Sequence, residues 1–110
     1  MEIKMEERVY AIKMQTPLDI KHGIIRVKME QNEIRGFLDV LNHSEPFYGN
    51  INPEGYCEFT GRIITLMRTI EYQASGKMDA DQIFLTIYGE RNVFQVTGVV
   101  CSRESEKQRG

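Results

Sequence analysis

The side chains of this 110-residue chain best suited to chemistry are His22 and His43, the chain's two histidines, together with Arg68, Glu90, Arg91, Tyr10 and Tyr72. Two imidazoles with Asp19 or Glu90 are donors that a divalent metal accepts, but only convergence in space makes a site of them, and solvated loop histidines are the ordinary alternative. The planar forks of Arg68 and Arg91 suit bidentate capture of a carboxylate or phosphate; their other roles are pairing with Glu71 and Glu90 or facing water. Tyr10 and Tyr72 share the phase of apolar neighbours, so each hydroxyl either meets a ligand or is satisfied by protein or water. Cys57 and Cys101 show no CxxC or histidine spacing and read as ordinary small residues. There is no nucleophile beside a base, no phosphate loop and no cofactor fingerprint. No catalytic residue, metal or cofactor is therefore assigned, and the balance is against an enzyme.

The elements that must position these groups are strands. Apolar alternation with a period of two marks Arg8–Gln15, Gly23–Gln31, Glu33–Leu41, Glu45–Asn52, Tyr56–Leu66, Thr69–Met78, Gln82–Tyr88 and Val93–Cys101, with no convincing helix between them. Short segments rich in turn residues separate most of them, so sequential antiparallel pairing is the economical topology. Between Tyr56 and Met78 no composition break appears, yet the buried phase passes from odd positions (Cys57, Phe59, Ile63) to even ones (Ile70, Tyr72, Met78). A hairpin at Leu66–Thr69 accounts for that change of parity.

Gly36, Gly49, Gly61, Gly76 and Gly98 all lie mid-strand on the apolar phase. Glycine there lets a strand coil sharply or a neighbouring backbone come close, as closing a small barrel requires. An eight-stranded sheet with one apolar face covers that face and loses both edges by closing on itself. The expected fold is thus all-β, a single antiparallel up-and-down (meander) barrel over residues 1–101, followed by a polar tail, 102–110, that has no apolar residue to bury. Its inner set is Tyr10, Ile12, Met14, Ile25, Val27, Met29, Ile34, Leu38, Val40, Phe47, Ile51, Phe59, Ile63, Tyr72, Met78, Ile83, Leu85, Ile87, Phe94, Val96 and Val100.

A meander places alternate connections at opposite ends. One end collects tight, acidic turns at Gln31–Glu33, Pro53–Gly55 and Asp79–Asp81. The other collects Thr16–His22, Asn42–Ser44, Leu66–Thr69 and Gly89–Asn92, which read as longer or less regular and bring both histidines, Arg68, Glu90 and Arg91 to one mouth. That mouth is the expected ligand site. On the outward phase, Phe37, Tyr48 and Ile64 belong to adjacent strands and are expected to merge into one patch, a dimer surface.

Strand count, hairpin order and the in-strand glycines, over roughly Arg8 to Cys101, resemble calycin-type barrels: lipocalins, fatty-acid-binding proteins and avidins. The resemblance implies a barrel that takes a small apolar ligand. The chain departs from those families in having no tryptophan, hence no lipocalin Gly-x-Trp signature and no biotin-lining tryptophans, and no capping or following helix. In outline it is similar to small uncharacterised bacterial barrels of this class.

Composition bounds the partners. With 41% hydrophobic and 27% charged residues the chain is globular rather than disordered, and no apolar stretch approaches the roughly 20 residues of a membrane span. A net charge of −2 supplies no basic field for nucleic acid. Neither nucleic acid nor membrane is an expected partner, and the mixed charges of Met1–Glu7 lack the apolar core of a secretion signal, so a cytoplasmic location is expected. Two readings follow: a binding barrel for a small apolar or anionic molecule, or a solid barrel acting as a homodimeric interaction module. A barrel isomerase or cyclase, needing only a shaped pocket and one or two polar groups, ranks third.

Overall fold

Alternation becomes eight strands: β1 (Met5–Gln15), β2 (Ile20–Glu30), β3 (Glu33–Val40), β4 (His43–Ile51), β5 (Tyr56–Ile64), β6 (Thr69–Met78), β7 (Gln82–Tyr88) and β8 (Val93–Glu106). They form a closed antiparallel barrel in chain order, β1 meeting β8, in a computed structural model that describes residues 5–106. The change of parity is met by a turn at Thr65–Arg68, whose Thr65 N–H donates to the Arg68 carbonyl across 2.9 Å.

The expected polar tail is corrected in part. Ser102–Glu106 continue β8 and pair with β1 from Val9↔Ser102 to Met5↔Glu106. Backbone pairing needs no apolar side chain, and β1 offers a free edge for it. The register slips between Val9 and Tyr10, where Tyr10 pairs with Val100, leaving Cys101 as the extra residue of a bulge and exposed. Residues 107–110 lie outside the described residues.

The buried core contains the expected inner residues except Met29, Ile51 and Val100, which are only partly buried, and it gains Cys57, Ile70 and Ala74 on the same phase. Aromatic rings fill its middle: Phe47 and Phe59 lie 4.3 Å apart between centroids, and Tyr72 stands edge-on to Phe59 at 6.2 Å. Glycine is what allows the wall to draw in around them. A Cβ on Gly36 would fall 1.8 Å from the Arg26 carbonyl oxygen, and one on Gly49 would fall 1.9 Å from that of Glu58. No side chain fits those positions without moving the neighbouring backbone.

The turns sort to the two ends as the meander requires. At the acidic end, Asn52 Oδ1 accepts from the Glu54 and Tyr56 N–H groups, and Asp79 Oδ1 accepts from those of Asp81 and Gln82. At the opposite end the connections, expected to be longer or irregular, are equally short. Leu41 and Asn42 alone join β3 to β4, with φ of 55° and 68°, the left-handed pair of a type I′ turn. The histidine end therefore has no long loop to fold over a ligand.

Candidate functional site

The rim of that end brings together only part of the expected site. His22 and His43 line one shallow cleft with Lys21, Asp39, Leu41 and Ser44. Asp39 contributes a carboxylate oxygen, Oδ1, that is buried without a hydrogen-bond partner, while its other oxygen stands 3.7 Å from Arg26 Nε. Arg68, Glu90 and Arg91 belong to the turns after β5 and β7, outside this cleft, and all three are exposed. Among the described residues no group of three or more histidine, cysteine or carboxylate side chains is placed to hold a metal.

Tyr10 and Tyr72 point inward as their phase requires, with different outcomes. The Tyr10 hydroxyl accepts from Arg8 Nη1 at 3.0 Å and donates to the Asp79 carbonyl, while Arg8 Nε donates to Glu6 Oε2 at 2.9 Å. Burial raises the Tyr10 hydroxyl above the usual tyrosine value, and the Arg8 contact only partly offsets this. Burial opposes the Arg8 charge too, but its bonds to Glu6 and Tyr10 outweigh that and hold it more firmly protonated. These are bonds that close the tight-turned end. The Tyr72 hydroxyl is buried with no partner and is also pushed up by burial. It lies over Gly61, where a Cβ would sit 2.6 Å from the hydroxyl and 3.0 Å from the Pro46 carbonyl oxygen. The Cys57 thiol, buried and raised to about 11 by burial, is held in its unreactive form.

An apolar depression lies outside the barrel, across β1 to β4. Register makes it. Two rows of outward side chains run side by side: Val9, Arg26, Phe37 and Pro46 in one, Glu7, Lys28, Arg35 and Tyr48 in the other. Between them the groove, about 510 Å³, is lined largely by apolar atoms, with the Gly36 backbone among its lining. Phe37 and Tyr48 are 47% and 62% exposed, so the expected patch exists. Ile64 does not line it. β4 and β5 pair only from Phe47↔Gly61 to Ile51↔Cys57, Tyr48 faces Thr60, and Ile64 lies four residues further along β5 and half-buried.

The groove cations were not singled out from the sequence, although the hairpin register alone sets Arg26, Lys28 and Arg35 beside Phe37 and Tyr48. Their acidic partners hold them loosely: Arg26 to Asp39 at 3.7 Å, Lys28 to Glu7 at 3.5 Å and Arg35 to Glu30 at 4.0 Å. Arg62 on Glu45, at 2.9 Å, shows what a made bond looks like on the same wall. Exposed pairs at such lengths contribute little, so these three cations can turn toward a ligand at small cost.

No protein-family model, curated protein or solved structure matches this chain.

Proposed function

We propose that the protein is a non-enzymatic binding barrel of calycin-like build that carries an amphiphilic anion, an aliphatic or aromatic body with an acidic head, on its outer wall rather than inside. The observation that carries this reading is the groove of about 510 Å³ lined by Phe37, Pro46 and Tyr48 together with Arg26, Lys28 and Arg35. That volume falls within the range of small-molecule sites, and apolar walls with a few cations fix both the body and the head of such a ligand. The interior is less suited, because large side chains fill it and no long loop gives entry. Two unpaired thiols, Cys57 and Cys101, support a reducing, cytoplasmic setting.

Calorimetric titration with dodecanoate tests the assignment. Phe37→Ser and the pair Arg26→Glu with Arg35→Glu, all at exposed positions, are expected each to weaken binding at least about tenfold, near 1.4 kcal/mol. Unchanged affinity in both variants would remove the groove as the site. Exposure of Phe37 and Tyr48 also favours a second reading, a homodimer through the same face. Native mass spectrometry that shows monomer alone would eliminate it.

A further inference from the structure

Among the described residues, the three most exposed large apolar side chains, Leu18, Leu66 and Met67, at 94%, 103% and 89%, lie on the rim of the histidine end. They occupy two turns built alike. In Thr16–Asp19 and in Thr65–Arg68 the threonine N–H donates to the carbonyl of the fourth residue at 2.9 Å, and the threonine hydroxyl donates to that same carbonyl at 2.9 Å. The N–H groups of the third and fourth residues donate back to the hydroxyl, at 3.3 and 3.0 Å in one turn and 3.2 and 3.1 Å in the other. Each threonine thus ties its turn closed and holds the apolar tip outward, where it packs on nothing.

These turns are four strands apart in a ring of eight, so they stand on opposite sides of one rim. Two separated spikes do not make a continuous patch, and a folded partner would need two pockets at that spacing. A lipid surface accepts apolar tips at any spacing. Charge supplies the orientation. The turns of the other rim hold Glu54, Asp79 and Asp81 and no lysine or arginine, with Glu30 and Glu33 flanking them and Arg8 engaged by Glu6 and Tyr10. The spiked rim carries Lys21, Arg68 and Arg91 against Asp19, Asp39 and Glu90, and Asp19 is already engaged by Lys21 at 3.2 Å and by Thr16. Arg68 and Arg91 have no ion pair among the described residues. The two rims thus differ in charge: the turns of the far one are acidic, while the one with the apolar tips balances three cations against three carboxylates and leaves Arg68 and Arg91 unpaired among the described residues.

We infer that this rim docks on an anionic lipid surface, Leu18 on one side and Leu66 with Met67 on the other entering the headgroup boundary, while Arg68 and Arg91 meet lipid phosphates or carboxylates. No span is involved, since the outer wall alternates apolar with charged residues and would stand above the surface. The expectation of no membrane partner, which rested on the lack of an apolar stretch of spanning length, does not bear on contact of this kind.

Co-sedimentation of the full chain with vesicles tests it, comparing phosphatidylcholine alone with phosphatidylcholine mixed with phosphatidylserine. The chain is expected to bind the mixed vesicles and to lose binding as salt is raised. Leu18→Ser, and Leu66→Ser with Met67→Ser, should each lower binding at least about tenfold, with unchanged circular dichroism and melting temperature because these side chains are exposed. Arg68→Glu with Arg91→Glu should abolish the preference for phosphatidylserine. Phe37→Ser should leave vesicle binding untouched, which keeps this rim separate from the groove. No binding to either vesicle, or binding indifferent to the tips, overturns the inference. So does a change of oligomeric mass in the tip variants without a change in vesicle binding, which would assign the spikes to a second copy of the chain.

Discussion

At the acidic end of the barrel the buried Tyr10 hydroxyl takes a hydrogen bond from Arg8 and gives one to the Asp79 carbonyl, whereas three residues from the opposite end of β6 the buried Tyr72 hydroxyl meets no partner. The wall around them differs in the same sense. Gly36, Gly49 and Gly76, each a few residues from the acidic-end turns, would place a Cβ 1.8 to 1.9 Å from a neighbouring carbonyl oxygen, but Gly61, toward the other end, meets first the tip of Tyr72 at 2.6 Å. β4 and β5 also stop pairing above Phe47↔Gly61. One end is locked by backbone against backbone and by a satisfied polar chain. At Gly61 the other end meets the tip of a side chain, while Gly23 at that same end still meets the Asp39 carbonyl oxygen at 2.3 Å, which teaches that the same residue type on the same phase is held stiffly or softly according to what stands on the neighbouring strand.

The sharpest break between the two is a methyl group. Gly49→Ala is expected to cost about 3 kcal/mol or more, since the Glu58 carbonyl oxygen and the Phe59 Cα and Cβ, none of them free to swing, stand in its way, and Gly61→Ala about 1 kcal/mol, since its nearest contact is the far end of the Tyr72 side chain. Urea denaturation of the two variants decides; equal losses would show that both walls are equally stiff. Next comes Tyr10→Phe, expected to cost about 1–3 kcal/mol because the Asp79 carbonyl and one Arg8 donor are left unpaired.

Alkaline titration gives a smaller contrast. Burial raises both hydroxyls above the ordinary value of 10.0, so in that range the folded chain holds protons that the unfolded chain has lost. Stability then falls as pH rises beyond about 10, by about 1.4 kcal/mol per pH unit for each proton retained. The fall should be shallower in Tyr72→Phe, and an unchanged slope in that variant would show Tyr72 to be ionised by water entering the core. Tyr72→Phe at neutral pH is the smallest effect: no loss, or a gain of up to about 1 kcal/mol, since it removes a hydroxyl that bonds to nothing.

Much of this architecture was legible in the residues. Period-two alternation located every strand, and the parity change between Ile63 and Ile70 located a turn that composition hid. The inner phase was read correctly through Phe47, Phe59 and Tyr72. What escaped had physical reasons. Ser102–Glu106 look like a tail because they include no apolar residue, and strand pairing through backbone does not require one. Arg68, Glu90 and Arg91 share an end with the histidines but not a cleft, because a ring of eight strands spreads its turns around a rim. The groove of Arg26, Lys28 and Arg35 depends on register, and two rows become visible only when Arg26 is set opposite Phe37 and Arg35 opposite Tyr48.

The seam between β1 and β8 sets the order in which the molecule can assemble. Seven of the eight pairings in the ring join strands adjacent in the chain, each reached through a turn of two to four residues, and form at little entropic cost. The eighth brings Met5 to Glu106 across almost the whole sequence and has to wait until the curved sheet delivers its two free edges to one another. Ring closure is thus the late step of folding. Because Met5 and Glu106 already lie side by side, joining the chain across them and opening the Pro53–Gly55 turn instead would keep the ring and move its final stitch to β4 and β5, where pairing is shortest.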